Sequence, residues 1–159
     1  MLYLVAGGVF VIDRVSKLLA EHHLAGRPAI VLIPHVFDLT FTTNTGGAFG
    51  LFGGQSWLFV VASVAVAGAI VVMSTRVTRL STAVGLGMIL GGALGNLTDR
   101  ILHGSGVSGM VTDFIHLHNW PVFNAADSAI VLGAATIVVA GLWGEREESP
   151  PPAEPSPAG

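Results

Sequence analysis

The constraint that dominates this chain is the repeated occurrence of long apolar stretches with almost no charge. Trp57–Met73 contains no charged residue, and Leu80–Thr98 is uncharged until Asp99. A membrane-crossing helix needs roughly 20 mostly apolar residues. Two further segments meet that requirement. One covers residues 2–19, interrupted by Asp13, Arg14 and Lys17; the other covers residues 125–144, with Asp127 near its start. Composition agrees, since only 11% of the 159 residues are charged and 52% are apolar. Soluble domains carry about a quarter charged residues, so lipid is the solvent implied. Residues 2–19 do not read as a cleaved leader: there is no basic start, and Asp13, Arg14 and Lys17 stand where a cleavage site would fall.

The expected architecture is a membrane all-α protein with four transmembrane helices, at about 2–19, 57–73, 80–98 and 125–144. Two loops, about 22–56 and 101–124, connect them on one side. Ala29–Ile33 and Val36–Thr43 are β-prone runs, and Phe37, Leu39 and Phe41 alternate with polar residues as in a strand with one buried face. Met110–His118 alternates more loosely. A small extracytoplasmic β-sheet is therefore expected. Residues 1–144 form one membrane domain. Residues 145–159, Pro-rich and polar, form a disordered tail.

Arginines in the short loops orient the chain. Arg76 and Arg79 lie between spans two and three, and Arg146 follows span four, whereas the long first loop has Arg27 alone. Both termini are then cytoplasmic. Span one runs outward, placing Asp13 and Lys17 in its outer half, four residues apart with the acid first, as a helical ion pair prefers. Asn96, Asp99 and Arg100 share one face at the outer end of span three. Asn124 and Asp127 sit at the outer end of span four, and Asp113 lies in the loop before it. A charge at the bilayer centre costs about 2.5–3.5 kcal/mol and usually marks function. The competing reading is a structural ion-pair network of Asp13, Lys17, Asp99 and Arg100 that holds the helices together. That reading is weaker for Asp113 and Asp127, because too few cations remain to pair with every acid.

Two acids converging on one site suggest a catalytic dyad. Like charges at short range keep one carboxyl protonated. The ionised partner can take a proton from water, and the neutral one can protonate a departing amide nitrogen. Other hydrolytic chemistry fits less well. There is no cysteine and no HExxH helix for zinc. His116 and His118 can share a strand face as metal ligands, but two donors alone are weak evidence, and no metal or cofactor is expected. Gly106–Gly109 is similar to the GxSG of rhomboid serine proteases, yet it falls in a Gly-rich loop and reads as a turn. A single lysine and no basic cluster argue against nucleic acid as partner.

Five blocks then stand in one order: Asp13-x-x-x-Lys17, Asn44-Thr-Gly46-Gly-Ala-Phe49, Gly91-Gly-Ala-Leu-Gly-Asn96-Leu-Thr-Asp99-Arg100, Val111-Thr-Asp113-Phe and Phe123-Asn124-Ala-Ala-Asp127-Ser. Together they resemble the motifs of the lipoprotein signal peptidase family (signal peptidase II) over residues 10 to 140. Gly47 stands where that family more often has alanine. The resemblance implies an aspartic endopeptidase of the bacterial inner membrane, with its active site near the outer face. It implies cleavage before the diacylglyceryl-modified cysteine of prolipoproteins. On the matching positions it implies Asp113 and Asp127 as catalytic acids. Asp13, Lys17, Asn44, Gly46, Asn96, Arg100 and Asn124 would be supporting or substrate-binding residues, and Asp99 structural.

Gly87, Gly91 and Gly95 recur every four residues, a spacing that lets helices approach closely. Packing within a monomer is expected. Phe49, Leu51, Phe52 and Trp57 can anchor at the interface or line an entry for a lipid chain and a signal-peptide helix. The competing readings are a small proton-coupled transporter or channel subunit using Asp13, Lys17, Asp99 and Asp127 as a relay, and a scaffold without catalysis. A relay needs ionisable groups across the whole membrane, and the inner halves of spans two to four carry none.

Overall fold

The computed structural model describes residues 1–45, 56–104 and 109–147. Four helices carry the fold: α1 (Leu2–Leu24), α2 (Ser56–Met73), α3 (Leu80–Leu102) and α4 (Ala125–Glu147). At 1.5 Å per residue, a 23-residue helix such as α3 is about 35 Å long. A short 3₁₀ turn, Ser74–Arg76, links α2 to α3.

Among the described residues three helices are long and apolar enough to cross a membrane, with mean hydropathies of 2.4 (Ser56–Arg76), 1.5 (Leu80–Leu102) and 1.9 (Ala125–Trp143). Length and composition thus support three of the four expected spans, and α1 does not meet the same measure. The physical reason is local: Asp13, Arg14 and Lys17 interrupt the apolar run of α1. The helices are apolar outside. Leu4, Val72, Val131 and Trp143 are two-thirds or more exposed, while Asp13, Lys17 and Asp99 are buried. Such an arrangement is stable only where the surroundings are themselves apolar.

Glycines set the spacing of the bundle. A Cβ on Gly87 would lie 2.6 Å from the Leu2 carbonyl oxygen, and one on Gly91 2.5 Å from that of Ala6. On Gly95 it would strike the Asp13 carboxylate. The Gly87–Gly91–Gly95 stripe is thus covered by α1 of the same chain. Gly85 and Gly92 meet α4 in the same manner, at the Gly133 and Ala126 carbonyls. α3 is the central helix, touching all three others. The apolar cluster, Leu2, Ala6, Ile70 and Leu90, is small.

The sheet has three antiparallel strands in the order β1 (Ile30–Ile33), β2 (Phe37–Asn44) and β3 (Val111–Leu117). β1 and β3 lie within β-prone runs, and β2 extends past its run by one residue, Asn44. Pro34 and His35 form the β1–β2 turn, with His35 at φ 62°, a conformation uncommon for a side-chain-bearing residue. Between Leu39 and Thr42 the register with β3 shifts, so Ile115 faces Leu39 while Asp113 faces Thr42. This irregularity re-aims the end of β3 that carries Asp113. Gly46, Gly47, Phe49, Leu51, Phe52, residues 106–108 of the GVSG turn and the tail beyond 147 lie outside the described residues.

Candidate active site

Each polar residue reaches the centre from a different element. Lys17 on α1 is 2% exposed and binds three partners on two helices. Its ammonium lies 2.9 Å from Asp13 Oδ2 and 2.9 Å from Asp99 Oδ2, and donates to Asn96 Oδ1 at 2.8 Å. Arg14 pairs with Asp99 Oδ1. Asp99 Oδ2 also accepts from the Thr112 backbone N–H at 3.2 Å, tying the start of β3 to α3. Asp13 Oδ1 accepts from the Ala126 N–H at 2.9 Å, so a carboxylate on α1 satisfies a donor in the first turn of α4. Asp13, Arg14, Lys17 and Asp99 therefore join α1, α3, β3 and α4 in one charge-balanced cluster.

Asp113 and Asp127 sit beside that cluster in a different environment. Asn124 connects them. Its Nδ2 donates to Asp113 Oδ1 at 2.6 Å, and its backbone N–H donates to Asp127 Oδ2 at 3.3 Å. In return the Asp127 N–H donates to Asn124 Oδ1 at 2.9 Å. This is a reciprocal cap at the start of α4, built from an N-cap asparagine and an acid three residues on. Asn96 Nδ2 donates to Asp127 Oδ1 at 2.8 Å, and Asn44 also hydrogen-bonds Asp113.

Asp113 is 2% exposed. Burial, followed by the negative charge of Asp127, raises its pKa to about 7, against the pull of the Asn124 and Asn44 amides. Both acids line a cavity of about 340 Å³, together with Asn44, Asn96 and Arg100. Its apolar wall includes Phe59, Phe123 and Ile130. The Arg100 guanidinium lies 5.3 Å from the centroid of the Phe59 ring and donates to the Asn96 carbonyl at 3.2 Å. A larger crevice, about 630 Å³, opens between α3 and α4 near Arg79 and Trp143, but no acid among the described residues lines it.

The structure thus brings together Asp13, Lys17, Asn44, Asn96, Asp99, Arg100, Asp113, Asn124 and Asp127. Three contributors were not foreseen: Arg14 on Asp99, the Thr112 N–H on Asp99, and the Phe59 ring under Arg100. The position of Arg14 next to Asp13 was visible, but its partner lies 85 residues away and local spacing does not disclose it.

An apolar helical bundle with an acid pair in a partly buried cavity defines a class, the membrane-embedded hydrolases. Comparison with known proteins narrows it. The family model for signal peptidase (SPase) II matches residues 5–143. The lipoprotein signal peptidase of Syntrophomonas wolfei is 43% identical over 143 residues, covering 88% of this chain and 92% of that one. That of Rhodococcus jostii is 41% identical, covering 91% of this chain and 73% of that one. A solved bacterial membrane enzyme superposes with a TM-score of 0.81 at 27% identity, covering 95% and 93% of the two chains. A second gives 0.75 at 30% identity, over 87% and 90%. The chain belongs to the signal peptidase II family and is a protease. The transporter alternative loses its support, both from this membership and because Lys17 and Arg14 hold two of the acids its relay would need.

Proposed function

We propose that this enzyme removes the signal peptide of prolipoproteins, cutting on the amino side of a diacylglyceryl-modified cysteine, with Asp113 and Asp127 as the catalytic pair. The carrying observation is that one residue, Asn124, bonds to both carboxyls at the wall of one cavity. A water between the acids attacks the scissile carbonyl while the Asp127 carboxylate takes its proton. Asp113, held neutral by burial, donates a hydrogen bond to the developing oxyanion. When the C–N bond breaks, the amine of the new N-terminal cysteine receives a proton from the acid pair. The signal peptide leaves with a free carboxyl group. Asn96, Asn44 and Asn124 fix the carboxyls, and Arg100 presents positive charge across the cavity.

The membrane arrangement belongs to the same reading. α1 acts as a fourth span, because its buried face carries the charges while Leu4, Val11, Ile12 and Leu19 point outward. Orientation by Arg76, Arg79 and Arg146 puts both termini in the cytoplasm and the acids near the outer face of the inner membrane. Residues 1–144 form the peptidase domain, and the enzyme works as a monomer. The apolar cavity wall suits a signal-peptide helix and a lipid chain. Replacing Asp113 or Asp127 singly with Asn tests the pair: each variant should insert and fold yet fail to cleave a lipidated precursor. Full activity in both would reject it.

A further inference from the structure

We propose that Asp38, His116 and His118 form a binding site for a zinc ion on the sheet. Strand alternation puts His116 and His118 on the face of β3 opposite Asp113. On this strand the sequence offers a pair of imidazoles, and two donors fall short of a zinc site. Register supplies the third: Asp38 on β2 is the direct cross-strand partner of His116.

The geometry is that of ligands around a common point. One donor atom from each residue lies within 4.8 Å of the others. Asp38 Oδ2 is 2.7 Å from His118 Nε2 and 3.5 Å from His116 Nδ1. Tetrahedral zinc, with bonds of about 2.0–2.2 Å, needs donors about 3.3 Å apart, and the two Asp38–histidine separations, 2.7 and 3.5 Å, bracket that value. The two imidazole rings stack at 5.0 Å and 26°, presenting their edges to the same carboxylate. The His35 ring meets that of His118 edge-on, with centroids 6.4 Å apart.

A second observation separates this from a simple hydrogen-bonded bridge. Asp38 is 8% exposed, and its Oδ1 is buried with no hydrogen-bond partner among the described residues. The histidines are about a third exposed, which gives an ion a way in. A lone His–Asp hydrogen bond leaves that oxygen unmet, and buried carboxylate oxygens are rarely left so. Two imidazoles and one carboxylate suit zinc, and they disfavour Mg²⁺ and Ca²⁺, which prefer all-oxygen shells. An ion there would fasten β2 to β3 three residues from Asp113, and so brace the strand that delivers it.

The test uses the full-length protein without a polyhistidine tag, purified in detergent and stripped with a chelator. Titration with ZnCl₂ should show one ion per chain, and zinc but not Mg²⁺ should raise the melting temperature. Asp38→Asn, His116→Ala and His118→Ala should each weaken zinc binding by about tenfold or more. His22→Ala should leave it intact. His116→Gln serves if alanine prevents folding, and precursor cleavage in chelator confirms that each variant is folded. Absence of zinc uptake by the wild type would overturn the site. So would stoichiometric binding that survives the double His116→Ala, His118→Ala change.

Discussion

Two groups of acids, all buried but the half-buried Asp127, lie side by side in this protein, and they are held in opposite ways. Asp13 and Asp99 are matched by Lys17 and Arg14, and each accepts a backbone N–H from another element. Asp113 and Asp127 are held by the amides of Asn44, Asn96 and Asn124. A cation fixes a carboxylate in its charged form, whereas an amide orients a carboxyl while leaving it able to exchange a proton. The first group is therefore suited to joining helices, and the second to proton transfer. The distinction can be tested by removing charge from each group in turn.

The largest effect is expected at the amide-held pair. Asp113→Asn and Asp127→Asn should each lower turnover by about 10²–10⁴-fold, the range of general acid–base catalysis. For Asp113→Asn the melting temperature in detergent near pH 4 should change little, since the amide matches the neutral acid in shape and charge. Asp99→Asn should do the reverse. It leaves Arg14 and Lys17 without their shared counter-charge, and breaking a buried pair on one side costs about 3–5 kcal/mol. Thermal unfolding should register that loss, and adding Lys17→Met should recover part of it. If Asp99→Asn were thermally silent and Asp113→Asn strongly destabilising, the division of labour would be the wrong way round.

Protonation sharpens the same contrast. The Asp113 pKa is raised from 3.8 to about 7, so the folded protein holds a proton that the unfolded chain releases. The linked stability is fully present below about pH 4 and is lost as pH rises through 7, by a few kcal/mol in total. Asp113→Asn should abolish that slope and leave a protein more stable than wild type at pH 8. Wild-type cleavage should fall as pH passes above 7, because the neutral form of Asp113 is consumed. In Asp127→Asn the pKa of Asp113 should move down, since the Asp127 charge is one of the causes that raise it.

Much of this was legible because it is local. The Asp13–Lys17 pair follows from i,i+4 spacing, and the closure of Asn124 on Asp127 from i,i+3. The strands follow from alternation in residues 29–43 and 110–118. What escaped depends on how elements meet. Arg14 reaches Asp99 because of the rotation of α1 against α3, which the glycine stripe sets. Asp38 meets His116 through a strand register that no single run discloses. The span count was ambiguous for a related reason: hydropathy along α1 averages a charged inner face with an apolar outer one, and only the packing separates them.

The smallest effect should come from the ring beneath Arg100. Phe59 offers its face to the guanidinium at 5.3 Å, a contact that contributes roughly 0.5–2 kcal/mol depending on desolvation. Phe59→Leu preserves the apolar wall but removes the ring quadrupole. Arg100 then keeps its bond to the Asn96 carbonyl, within its own helix, and gains freedom to swing toward the acids. If its task is to hold positive charge at a fixed distance from Asp127 and Asp113, cleavage should slow by a few-fold to about tenfold, with stability nearly unchanged. The pH at which activity falls should shift downward, because a guanidinium closer to Asp113 favours its charged form. An unchanged pH profile with unchanged turnover would mean that Arg100 serves the bundle rather than the acid pair, and would move it into the cation-matched group with Arg14 and Lys17.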